Sequence, residues 1–142
     1  MPAGRRVAAE AIAARTLGLL CAVASSSPRA WVREHLSRVG VFDTFGVIAT
    51  GDEVPAHKPD PAVYHHALDR LGITGSRAVA VEDTPHCVTA ARRAETATVA
   101  IPNPFVDVRQ FDSADIVLTS AADLPLAEVI ARLPSHAADR HA

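Results

Sequence analysis

Apolar residues in this chain fall into two kinds of run that alternate along its length. Short unbroken stretches over 19–24, 46–49, 78–81 and 98–101, with a smaller one over 115–118, read as strands, and the third as a buried one. Between them the apolar positions recur at helical spacing. Val32, Leu36 and Val39 predict a helix running to Gly40, and Val63, Tyr64, Ala67, Leu68 and Leu71 predict a second running to Gly72. Ser27-Pro28 and Asp60-Pro61 each place a capping residue ahead of a proline at the first helical position. Further helices are expected over 5–16, 85–94 and 124–133, and Thr50-Gly51-Asp52-Glu53 reads as a turn.

Strands that alternate with helices of about ten residues imply parallel β-α-β units with right-handed crossovers. The expected fold is therefore α/β, a Rossmann-like parallel sheet with flanking helices, over residues 1–133, followed by a polar tail over 134–142. Ligands of such sheets bind beyond the carboxyl ends of the strands. That rule singles out Ser25, Gly51-Asp52 and Glu82-Asp83, each of which follows the last apolar residue of a strand.

Composition narrows the partners. The 142 residues are 49% hydrophobic and 21% charged, with one Trp, one Tyr and four Phe, so the core must be built from Ala, Val, Leu and Ile. A formal net charge of -2 and scattered basic residues argue against a nucleic-acid partner. No uncharged run reaches 18 residues, which argues against a membrane span. Arg5-Arg6, the apolar run 17–23 and Ala22-Val23-Ala24 imitate a secretory leader, but Glu10 and Arg15 interrupt it. Cys21 and Cys87 suggest neither a disulfide framework nor a C-x-x-C metal site, and a cytoplasmic location is expected.

Three groups could carry chemistry, and each has a plainer explanation. Ser25-Ser26-Ser27 could hold an oxyanion with its hydroxyls and the free N–H groups of the following helix, or could simply cap that helix. Lys58, kept extended by Pro59, could neutralise a phosphate or could be a solvated loop lysine. Glu82 and Asp83 suit Mg²⁺ as oxygen ligands, although Asp83 or Thr84 could equally cap a helix. His65-His66 and His86-Cys87 are adjacent pairs without an i, i+4 face, so no zinc site is expected.

Taken together, Ala22-Val23-Ala24-Ser25-Ser26-Ser27, Gly51-Asp52-Glu53-Val54, Lys58-Pro59-Asp60-Pro61 and Val81-Glu82-Asp83-Thr84 resemble the haloacid dehalogenase superfamily, in its β-phosphoglucomutase-like branch. Gly40-Val41-Phe42-Asp43, Asp115-Ile116-Val117 and Asp123-Leu124 are similar to that branch too, so the resemblance covers about residues 4–133. It implies a Mg²⁺-dependent phosphohydrolase or phosphomutase acting on a small phosphorylated metabolite through an aspartyl-phosphate. By the same resemblance, Ser25, with Ser26, and Lys58 would bind the phosphoryl group, and Asp83 with Glu82 would hold the metal.

Departures from the pattern are equally specific. The family's first motif, Asp-x-Asp, supplies the nucleophile and the acid/base, and no Asp-x-Asp occurs in these 142 residues. The resemblance therefore implies a core that is incomplete at its N-terminal side, lacking one strand between the serine strand and the Glu82-Asp83 strand. That strand's absence would leave inner edges open to self-association, or let the two flanking strands pair directly. Cys87 and Glu95 stand where the family usually has glycine, with crowding of the helix expected at Cys87. Two readings follow: a hydrolase inactive as this chain, or a catalytically dead remnant acting as a binding module.

Overall fold

The computed structural model describes residues 18–120 and 123–133. The helix expected over 5–16 and the tail over 134–142 lie outside the described residues. Strands β1 (Ala22–Ala24) and β2 (Val47–Ala49) pair in parallel, with α1 (Arg29–Arg38) between them in sequence. Strands β3 (Val79–Glu82), β4 (Ala97–Ala100) and β5 (Ile116–Val117) form a second parallel sheet in the order β3-β4-β5. The remaining helices are α2 (Ala62–Leu71), α3 (Pro85–Arg93) and α4 (Leu126–Arg132). The α/β class and the parallel pairing agree with the alternating pattern.

Period-two alternation decides which helix covers which face. Val23 and Ile48 point to one side of the β1-β2 ribbon and meet Val32 and Leu36 of α1. Ala22, Ala24, Val47 and Ala49 point to the other side, where Val63, Tyr64, Ala67 and Leu68 of α2 lie. The same cluster takes in Ala80 of β3 and Ala90, Ala91 and Ala94 of α3, so α2 and α3 share one core across the two sheets. The rest of α1, Ala30 and Trp31 included, is mostly exposed, and the helix is held mainly through buried Val32 and Leu36, at roughly 1.5–3 kcal/mol for each aliphatic side chain.

Several local expectations are corrected. The first strand begins at Ala22 rather than at Leu19, because Leu19 and Leu20 face solvent. Strand β3 is buried on one face only: Ala80 enters the core, whereas Val79 and Val81 are 40% and 54% exposed. Direct pairing of β1 with β3 does not occur among the described residues, where the two belong to separate sheets. Ser27 does not cap α1. Pro28 occupies the cap position with extended geometry and no side-chain cap bond. Asp60 does not occupy the cap of α2 either: Pro61 does, without a side-chain cap bond, and Asp60 Oδ1 accepts from the Ala62 N–H at 2.9 Å from one residue further out.

Helix α3 ends in a turn that glycine would suit better than the residue present. Glu95 has φ +63, while its N–H donates to the Arg92 carbonyl and the Thr96 N–H to the Ala91 carbonyl. A left-handed conformation costs a side-chain-bearing residue about 1–2 kcal/mol, and glycine is free of that cost. Glu95→Gly is expected to stabilise the chain by about 1 kcal/mol in urea unfolding. A lower midpoint would show that contacts of the Glu95 side chain outweigh the backbone strain.

Candidate functional site

Three loops converge beyond the carboxyl ends of β1, β2 and β3. Ser25 donates its N–H to the Ala49 carbonyl at 3.0 Å, and Gly51 donates its N–H to the Ser27 carbonyl at 3.0 Å. These two bonds stitch the serine loop to the loop after β2. A Cβ on Gly51 would run into the Ser26 carbonyl, so the close approach requires glycine here. The Ser25 hydroxyl accepts from the Ser27 N–H at 3.1 Å, and Ser26 Oγ lies 3.5 Å from the Lys58 N–H.

Lys58 is not a solvated loop lysine. Its side chain is 8% exposed, and Nζ donates to the Ala24 carbonyl and to Glu82 Oε1, both at 3.0 Å. The acceptors are the last residues of β1 and of β3, so one ammonium spans the ends of the two sheets. Nζ also lies 4.8 Å from the centroid of the Tyr64 ring, a cation–π distance. Two of its three N–H bonds are committed to protein acceptors, which leaves one for a ligand.

Asp52 is structural. Its carboxylate oxygens accept from the Arg29 N–H at 3.2 and 3.3 Å, at the start of α1, and from the Thr50 hydroxyl at 2.6 Å. The Thr50 hydrogen bond, followed by that of the Arg29 N–H, holds its carboxyl below the ordinary aspartate range. This corrects the expectation that the N–H groups opening the helix are free for a ligand anion, since Asp52 already takes the first. Thr50 and Glu53 complete a capping box over the 3-10 turn Gly51–Glu53.

At the end of β3 the cap question has a clear answer. Thr84 Oγ1 accepts from the Cys87 N–H at 3.4 Å and Pro85 opens α3, so Asp83 is not needed as the cap. The Asp83 carbonyl accepts from the Asn103 N–H at 2.9 Å, and the Asp83 side chain is exposed. Glu82 is largely buried. Burial raises its carboxyl above the usual range, opposed by the Lys58 ammonium. Cys87 lies within the first turns of the unbroken helix α3, and burial, then the Glu82 charge, push its thiol pKa up.

The structure thus brings Lys58, Glu82, Asp83 and the serine loop to the strand ends, and assigns Asp52 to capping. Cys87, taken from sequence as a packing intrusion, joins the carboxylates instead: one donor atom each of Glu82, Asp83 and Cys87 lies within 4.8 Å of the others. A signal for Lys58 was present in the composition. It is the single lysine among 14 basic residues, the rest being arginine.

A family model described as haloacid dehalogenase-like hydrolase matches residues 9–101. YhcW of Bacillus subtilis (strain 168), provisionally named a phosphatase, is 39% identical over 123 residues, covering 87% of this chain and 56% of its own length. Hexitol phosphatase B of Escherichia coli (strain K12) is 29% identical over 80% of this chain and 51% of its own. Among solved structures, CbbY of Rhodobacter sphaeroides in complex with xylulose-(1,5)bisphosphate superposes with a TM-score of 0.78 at 33% identity, over 85% of this chain and 56% of that one. The chain spans about half the length of the curated relatives it matches.

Because the folded pKa of Asp52 is depressed, its contribution is present above the unfolded value, near 3.8, and is lost as pH falls through the folded value. Asp52→Asn should lower the melting temperature at pH 7, and the difference from wild type should shrink below about pH 4. An unchanged melting temperature at pH 7 would remove Asp52 from the support of α1.

Proposed function

The chain belongs to the haloacid dehalogenase-like hydrolase family, in its β-phosphoglucomutase-like branch, and on that premise we propose that it is the phosphate- and cation-binding part of a phosphohydrolase or phosphomutase. The substrate class is a small organic phosphate monoester, and the compartment is the cytoplasm. One observation carries the reading: the only lysine of the chain is buried at the strand ends, bonded to Ala24 beside the serine loop and to Glu82 beside Asp83. Among the described residues, no helix is long and apolar enough to cross a membrane.

The roles follow from donor chemistry. The hydroxyls of Ser25 and Ser26 and the remaining N–H of Lys58 donate to phosphoryl oxygens, while the fixed ammonium offsets their charge without reorganising. Two adjacent carboxylates at a strand end fit a divalent cation, Mg²⁺ in the family's usual chemistry, with Asp83 exposed to meet it and Glu82 behind. When bound, that cation neutralises charge developing on the phosphoryl oxygens. With Lys58 on one oxygen, Glu82 is oriented rather than free to rotate.

Acyl-phosphate chemistry also needs a carboxylate nucleophile, for which the 142 residues offer no Asp-x-Asp. We therefore propose that turnover depends on a further segment, which would also fill the space between β1 and β3. A second reading, a binding module that completes its sheet with a partner's strand, draws on the separate β1 and β3 sheets and exposed Val79 and Val81.

Hydrolysis of a generic phosphate monoester with Mg²⁺ tests both. The 142-residue chain should show no turnover. The same chain joined to, or mixed with, an upstream segment carrying Asp-x-Asp should turn over, and Asp83→Ala should reduce the rate by about a hundredfold or more. Turnover by the short chain alone would contradict the need for an added nucleophile. An inactive extended chain that still binds a strand peptide would favour the binding module.

A further inference from the structure

The donor set at the end of β3 contains a group that Mg²⁺ does not use. Mg²⁺ takes hard oxygen ligands and keeps much of its water, whereas thiolate selects soft or borderline cations. The third donor beside the Glu82 and Asp83 carboxylates is the thiol of Cys87. Its position is fixed by the helix cap, because the Thr84 hydroxyl receives the Cys87 N–H in the first turn of α3. The thiol is half-buried, and its sulfur lies within 4.8 Å of a carboxylate oxygen of Glu82 and of Asp83.

We propose that Cys87 makes this a thiophilic cation site, taking Zn²⁺ or Cd²⁺ in preference to Mg²⁺, with Glu82, Asp83 and Cys87 each giving one donor atom. The proposal rests on the reading of Glu82 and Asp83 as cation ligands, and departs from it in the metal. It also departs from the expectation that zinc is absent, which rested on histidine spacing. Here the soft donor stands beside carboxylates.

The geometry is within reach of a compact cation. The three donor atoms lie within 4.8 Å of one another. A tetrahedral Zn²⁺ with bonds of about 2.0–2.3 Å asks for ligand separations of roughly 3.5 Å. The difference is at most about 1.3 Å, and the exposed Asp83 side chain can rotate to supply it. On binding, the metal–sulfur bond forms as the S–H bond breaks, and the proton leaves to solvent. Glu82 keeps one oxygen on Lys58, so its other oxygen is the donor.

The test uses the 142-residue chain carrying Cys21→Ser, so that Cys87 is its only thiol, with Cd²⁺ and Mg²⁺ as probes. Titration calorimetry gives affinity, and the thiolate-to-metal charge-transfer absorption reports the Cd–S bond directly. Cd²⁺ should bind with that absorption and at least tenfold more tightly than Mg²⁺. Cys87→Ser should abolish the absorption and weaken Cd²⁺ about tenfold or more while leaving Mg²⁺ unchanged, and Asp83→Asn should weaken both. If Cd²⁺ binds equally in Cys87→Ser but is lost in Asp83→Asn, the carboxylate reading survives and the thiophilic site is wrong. If the absorption persists unchanged in Asp83→Asn, Cys87 binds metal without these carboxylates and the shared site is wrong. Absence of binding by either cation overturns both.

Discussion

The Lys58 ammonium, bonded at once to the last carbonyl of β1 and to the side chain that ends β3, is the constraint on which the site depends. Each partner has a reason to be there. The carbonyl after a strand's last pair needs a donor, and a largely buried glutamate needs a cation. Desolvating both charges costs about as much as their attraction returns, so the pair is better understood as setting geometry than as adding stability. A point charge on a flexible stem suits this role. Every other Lys/Arg position of the chain carries arginine, whose planar fork favours bidentate partners over a compact point charge.

What surrounds Lys58 follows from the same requirement. Helix α2 packs on β1 and β2 over small residues, with Ala22, Ala24, Ala49 and Ala67 in the same core cluster as Ala80 of β3. Tyr64 supplies the ring beneath Nζ, although its buried hydroxyl has no hydrogen-bond partner among the described residues. On the opposite side of the β1-β2 ribbon, α1 is anchored by two aliphatic side chains and by the Asp52 carboxylate at its first turn. The serine loop is thereby held between a fixed helix start and the Gly51 turn.

Much of this was legible in the chain. Ala24, Ala49 and Val81 close the apolar runs, and the rule that ligands gather past strand ends points from sequence alone to the serine loop, to Gly51-Asp52 and to Glu82-Asp83, of which Asp52 is a helix support. Long-range substitutions were not legible. Asp52 caps a helix that begins 23 residues earlier, and no local pattern shows a side chain arriving from another loop. Val79 and Val81 belong to an apolar run that reads as fully buried, but burial depends on what packs on the second face of the strand. In sequence Cys87 reads only as a departure from glycine, because its place beside Glu82 requires the turn between β3 and α3. Glu95 was legible in the same way, as a departure from glycine, and it sits at a left-handed φ.

A double-mutant cycle between Lys58 and Glu82, followed by urea unfolding at pH 7, tests most directly whether this pair couples the two sheets. Lys58→Met alone should cost about 3 kcal/mol, because it leaves Glu82 buried without a partner. Lys58→Met with Glu82→Gln should recover much of that loss, giving a coupling of roughly 2 kcal/mol. Effects that add to within about 0.5 kcal/mol would show the two residues to be independent, and would contradict the account of a site assembled around Lys58.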